Sequence, residues 1–260
     1  MRKIKFSVGI AYGLKDWELA FDLLLCEYFE GIELPAYYLN DPKLPELLEK
    51  SCMEITNVVD FVQSSISRSI IDQNEKVRND IFEYINRILS KKYNFPFNCF
   101  MLDVGFSGPG CKEDEIISRV QFLKQFIYTL YLNSMIMTLP VRIPDSASLS
   151  KQARFMQEII RETMFNRYKI CLNLFPHEIK ENSRPEHIYQ LYDFDLKTIR
   201  IIYEPEIGNY LTEKVLEYWL KPLNDIEFKG DVIFCPKTNN FSILENEVKH
   251  LTGFIDKMSI

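Results

Sequence analysis

Two glutamates stand either side of a proline in "IYEPEIG", Glu204 and Glu206, directly after an apolar run with the composition of a buried strand. Acids in such a place can do general acid–base work if a cleft surrounds them, or can be solvated loop residues. Other polar side chains close similar runs. They are Glu33 in "GIELPA", Gln63, Ser64 and Ser65 after "ITNVVDFV", Asp103 in "FMLDV", Arg142 in "LPVRIP", Asn173 in "CLNLF", His177 in "FPHE" and Lys237 after "FCP". This mixture suits hydrogen bonding to a polyhydroxylated or anionic small molecule, with Arg142 and Lys237 as anion partners. Glu204, Glu206 and Arg142 are the expected catalytic residues: a glutamate as general base, the guanidinium as oxyanion or phosphate partner. Asp103, Asn173, His177, Lys237 and Glu33 are the expected substrate-binding residues. Each has a structural alternative. Arg142 can pair with Asp103 or Glu204, Asn173 can hold a neighbouring backbone, and His177 and Lys237 can be exposed loop residues.

Three sharper motifs are tested and set aside. "GFSGPG", Gly105 to Gly110, approaches a nucleophile elbow, but Pro109 takes the place of its last glycine. Asp103 with Glu204 could form the carboxylate pair of a retaining glycosidase, but Asp103 lies deep in its strand. A metal site needs converging His, Asp and Glu. Of His177, His187 and His250 the last two fall on helices, so at most one can serve.

The elements that must position these residues follow from the apolar pattern. Eight runs read as strands: "KIKFSVGIA", "GIELPA", "ITNVVDFV", "FNCFMLDV", "MIMTLPVRI", "KICLNLF", "TIRIIYE" and "DVIFCP". They are continuous, as strands buried on both faces are. Helical stretches follow. Val77, Ile81, Ile85 and Ile88 share one face, as do Ile116, Val120, Leu123, Ile127 and Leu130, and again Leu244, Val248, Leu251 and Ile255. "KLPELLEK" predicts a short second helix. Asp72…Glu75, Ser183…Glu186 and Ser242…Glu245 fit capping boxes, and Pro185 suits a first helical turn. Eight strand–helix units at about 32 residues each match the βαβ repeat. The α/β reading is a single (β/α)8 TIM barrel over residues 1–260, with a doubly wound open sheet as the alternative. In such a barrel function gathers at the carboxyl ends of the strands, where the polar residues above fall.

Composition narrows the partners. The chain has 260 residues, 47% hydrophobic and 26% charged, with a net charge of −6. A general nucleic-acid binder needs a basic surplus, and none exists. No apolar run approaches the ~18 residues of a membrane span. The six cysteines, Cys26, Cys52, Cys99, Cys111, Cys171 and Cys235, make no C-x-x-C, and the apolar start is short and broken. A reducing, cytoplasmic setting is expected, without nucleic-acid or membrane partners. A homo-oligomer is left open.

The rhythm of the whole chain, with "FEGIELPA" at Phe29–Ala36, "SSISRSIIDQNEKVRNDIFEYINRI" and "FKGDVIFCP", resembles the xylose-isomerase-like barrels: sugar isomerases, sugar-phosphate isomerase/epimerases and type-IV apurinic endonucleases. The resemblance implies a sugar-type ligand at the carboxyl rim. It also implies a divalent Mn, Mg or Zn, held by a glutamate ending strand five, an Asp/His pair after strand six and a glutamate ending strand eight. Here strand five carries Arg142 or a neighbour, strand six offers Asn173 and His177, strand seven has Tyr203 and Glu206, and strand eight ends "FCPK". The expectation is a barrel that binds or acts on a sugar-type ligand with no metal cofactor. A metal-dependent isomerase/epimerase using Glu33, His177 and Glu206, and a non-catalytic interaction protein, are the alternatives.

Overall fold

Val-, Ile- and Phe-rich runs that cannot face water on either side must be covered twice, and a barrel does this with one closed sheet inside a ring of helices. The computed structural model describes residues 4–25, 29–59, 75–90, 97–103, 113–143, 146–179, 184–192 and 195–258. Strands β1 (Lys5–Gly9), β2 (Gly31–Pro35), β3 (Glu54–Val59), β4 (Cys99–Met101), β5 (Ile136–Arg142), β6 (Tyr168–Leu174), β7 (Leu196–Tyr203) and β8 (Asp231–Pro236) form a closed parallel barrel in chain order. β8 returns to pair with β1, Phe6 opposite Val232. Every strand expected from the sequence is present, and the open-sheet alternative is excluded.

The helices are α1 (Leu19–Leu25), α2 (Leu44–Ser51), α3 (Glu75–Leu89), α4 (Glu113–Lys124), α5 (Ile127–Leu132), α6 (Ser146–Thr163), α7 (Pro185–Tyr192), α8 (Glu213–Asp225) and α9 (Phe241–Met258). The stripe from Ile116 to Leu130 spans two of them, not one helix. At the break, Gln125 N–H bonds to the Phe122 carbonyl and Phe126 N–H to that of Leu123, three-residue steps that tighten the turn. Phe126 is fully buried at the joint, so the apolar face continues across it. The box expected at Ser242 is also corrected. α9 already starts at Phe241, and Asn240 caps it by accepting from the Ser242 N–H at 3.0 Å. Thr212 caps α8 by accepting from the Val215 N–H at 3.4 Å. Asp72, Ser183, Gln63, Ser64, Ser65, Cys26, Cys111 and the "GFSGPG" stretch lie outside the described residues.

The core has two parts. The larger lies between sheet and helices and takes Ile199, Ile201 and Tyr203 from β7. The smaller, inside the barrel, gathers Ile202, Ile233 and Cys235 with Phe175 packed on it. Successive residues of a strand point to opposite faces, so Thr198, Arg200 and Ile202 share the inner side of β7. The interior is polar for a barrel. Ser7 and Thr56 share a hydrogen bond at 2.7 Å, and the buried Thr138 donates to the Phe100 carbonyl at 3.3 Å. Ion pairs Lys5–Glu54 (2.9 Å) and Lys197–Asp231 (2.7 Å) stand at the amino ends of their strands.

Candidate functional site

A cavity of about 920 Å³ opens at the carboxyl ends of the strands. Its floor is set by inward positions on neighbouring strands: Gly9, Glu33, Met101, Pro140, Asn173, Arg200 and Cys235. At the centre is Arg200, whose Nε and Nη2 donate to Glu33 Oε1 at 3.0 and 2.7 Å while Nη1 donates to Asn173 Oδ1 at 3.1 Å. The ion pair links β7 to β2, far apart in sequence, and its side chains are 13% and 2% exposed. Burial opposes the charge of Arg200, but the Glu33 carboxylate beside it wins and its pKa is raised.

Glu33 is satisfied from three sides. Asn57 donates to its other oxygen at 2.8 Å, and the Cys235 thiol approaches Oε1 at 3.6 Å. Burial pushes the Cys235 thiol up, and the charge of Glu33 adds to this, so the group is a packed thiol and not a nucleophile. Among the described residues, Asn57 Oδ1 is buried with no hydrogen-bond partner. Gly9 leaves the room for this arrangement: a Cβ there would stand 3.0 Å from Cys235 Sγ and 3.1 Å from Glu33 Oε1.

The structure separates the residues singled out from the sequence. Glu33, Asp103, Asn173, Glu206 and Lys237 line the cavity. Arg142, Glu204 and His177 are not among the described residues that do. Arg142 is half exposed, pairs with Glu178 and stacks on Phe175, its guanidinium carbon 4.2 Å from the ring centre. It makes no described ion pair with Asp103 or Glu204, and β5 presents Pro140 to the floor. Glu204 is exposed and reaches Lys237 at 4.0 Å, a surface contact of little weight. His177 is exposed. Glu204 and Glu206 part company because the strand ends at Tyr203. Pro205–Ile207 form a 3-10 turn closed by Gly208 at φ 84°, so the alternation that would put both acids on one face no longer holds. Glu206, also exposed, lines the cavity, where Thr238 donates to it at 2.6 Å.

Arg200 is the residue that the sequence reading missed. The signal was there: an arginine inside "TIRIIYE" is costly unless paired. The tyrosines of the mouth, Tyr12, Tyr37 and Tyr84, were missed as well.

Neither protein-family models nor curated proteins give a match to the sequence. Solved structures do. The chain superposes on 3-keto-D-glucoside 4-epimerase from E. coli with a TM-score of 0.73 at 13% identity, covering 98% of this chain and 100% of that one. It superposes on a xylose isomerase domain protein from Planctomyces limnophilus with a TM-score of 0.68 at 12% identity, covering 98% and 97%. The fold they have in common with this chain is the closed (β/α)8 barrel. D-allulose 3-epimerase from Methylomonas sp. shares it, with a TM-score of 0.73 at 11% identity and coverage of 99% and 98%.

The resemblance drawn from the sequence implied a divalent metal, and the described residues do not fit one. Pro140, Asn173 and Cys235 occupy the floor on β5, β6 and β8, and the acid on β2 is neutralised by Arg200. Among the described residues no group of three or more His, Cys, Asp or Glu is placed to hold a metal ion.

Proposed function

We propose that this barrel takes a sugar-type ligand in the carboxyl-end cavity, with the Arg200 guanidinium, held by Glu33 and Asn173, as a fixed hydrogen-bond donor on its floor. The observation that carries the reading is the buried Glu33–Arg200–Asn173 assembly on the floor of the cavity. A guanidinium held by two strands is pre-oriented and always charged, and such a group can stabilise an oxyanion formed beside a carbonyl. Glu206, held by Thr238, and Asp103 are the cavity acids available to move a proton at the adjacent carbon. The chemistry that fits is sugar isomerisation or epimerisation without a metal. Among the described lining residues, Arg200 and Lys237 face Glu33, Asp103 and Glu206, so there is no cationic surplus and an unphosphorylated sugar is favoured. The names of the superposing epimerases point the same way.

The test is calorimetric titration with ketoses, aldoses and their phosphates, followed by proton NMR in D2O for exchange at the carbon next to the carbonyl. Saturable binding of an unphosphorylated sugar, weakened at least tenfold in Asn173→Ala, is expected. Absence of binding across the panel rejects the reading.

A further inference from the structure

Outside the floor, the cavity has an aromatic side. Tyr12 follows β1, and Tyr37 lies in the 3-10 turn Ala36–Asn40 that follows β2. They are 62% and 60% exposed, and their rings meet edge to face at 5.4 Å. Large exposed aromatics cost hydrophobic stabilisation, and a pair beside a cavity marks a contact surface. The pair is built on a buried support. Tyr37 packs edge-on against Tyr38 at 5.5 Å, and Tyr38 packs against Trp17 with ring centres 4.6 Å apart and planes tilted by 33°. Tyr38 and Trp17 are almost wholly buried, and the Tyr38 hydroxyl donates to the Ala11 carbonyl at 3.3 Å. Gly13, at φ 79°, turns the loop that presents Tyr12. The platform is thus held in place before any ligand arrives.

Size adds the second observation. Cavities of roughly 300–1,000 Å³ take drug-sized ligands. This one, at about 920 Å³, is near the top of that range, and a single hexose is well below drug size. A hexose seated on Arg200 leaves the tyrosine side unfilled. A pyranose ring offers a face of C–H groups that packs on an aromatic ring as apolar surface, while its hydroxyls stay wet at the rim.

We propose that Tyr12 and Tyr37 form an outer sugar subsite, so that the ligand is a disaccharide or an aryl glycoside rather than a free monosaccharide. This rests on the proposed sugar-binding function of the same cavity.

The test titrates wild type, Tyr37→Ala, Tyr12→Ala and Tyr37→Phe with D-glucose, methyl glucoside, phenyl glucoside, maltose and cellobiose, and with D-fructose, maltulose and turanose. Tyr128→Ala, which removes an exposed tyrosine remote from the cavity lining, is the control. At least one two-ring ligand is expected to bind tenfold or more tightly than its monosaccharide. That ratio falls about tenfold in Tyr37→Ala, is kept in Tyr37→Phe and is unchanged in Tyr128→Ala. Equal affinity of one- and two-ring ligands, or a ratio indifferent to Tyr37 and Tyr12, overturns the outer subsite and leaves the sugar-binding function standing. Absence of binding by either class overturns both.

Discussion

A guanidinium inside a barrel has to be paired, and the cost of losing the partner measures how dry the site is. Removing one member of a buried ion pair typically destabilises by about 3–5 kcal/mol, because the other charge is left unpaired. Arg200→Met should therefore lower unfolding free energy by roughly that amount in urea titration. Arg200→Met with Glu33→Gln should recover part of the loss. Equal destabilisation by the single and double variants would mean that the charges are solvated and the pair is not the organising contact. A second residue-scale case lies behind the rim. Glu247 on α9 is 5% exposed, and burial raises its pKa, while Tyr203 beside it acts in the other direction. Between the ordinary value of 4.5 and the raised one, the folded protein holds a proton that the unfolded chain has released. Stability therefore falls as pH rises through that window, and Glu247→Gln should flatten this part of the profile in thermal melts taken from pH 4 upwards. An unchanged slope would assign the dependence to other groups.

Strands need room for one another, and glycines such as Gly31 and Gly9 supply it. A Cβ on Gly31 would meet Thr56 Oγ1 at 2.1 Å and the Glu54 carbonyl at 2.8 Å, the second of them backbone that cannot swing away. Gly31→Ala must push β2 from β3, an overpacking that costs about 1–3 kcal/mol or more, and the melting temperature should drop accordingly. Gly9→Ala presses on side chains, Cys235 and Glu33, while the nearest backbone atom, Cys235 Cα, is at an ordinary 3.6 Å. It should perturb the floor more than the fold: a smaller loss of stability than Gly31→Ala, with weaker sugar binding. The reverse ranking would place the tight packing at β1. The turn after β7 works at the same scale. Pro205 and Gly208 end the strand and reorient the chain, which sends Glu204 to solvent and Glu206 to Thr238.

For the whole molecule, closure makes the carboxyl ends of eight strands a single concave rim, with positive charge supplied from within the chain. On the proposed function, neither the stability of the barrel nor its ligand binding requires an added ion. Dialysis against EDTA should leave the melting temperature and sugar titration unchanged, and elemental analysis of protein prepared without chelator should return far less than one Mn, Mg or Zn per chain. One tightly held ion, or a fall in melting temperature on chelation, would sink the metal-free reading. Among the described residues no helix is long and apolar enough to cross a membrane.

The eight strands were legible because a strand buried on both faces must be apolar along its length, and "KICLNLF" or "DVIFCP" cannot be read otherwise. The helical faces Val77–Ile88 and Leu244–Ile255 were legible from their spacing, as was that from Ile116 to Leu130, except that Gln125–Phe126 break its helix without interrupting the apolar face. Strand ends were legible as well, and Glu33, Asp103, Asn173, Glu206 and Lys237, picked out at or after them, line one cavity. Which side chains meet there was another matter. Arg200 and Glu33 are 167 positions apart, and only barrel closure brings β2 and β7 to a common interior. Arg142 has the same chemistry as Arg200 and sits at a strand end, yet it turns to Phe175 and Glu178. Pattern gives a residue its strand and its face. Depth in the barrel and the partner across it depend on strand register and on where each strand stops, and these arise only when all eight strands are assembled.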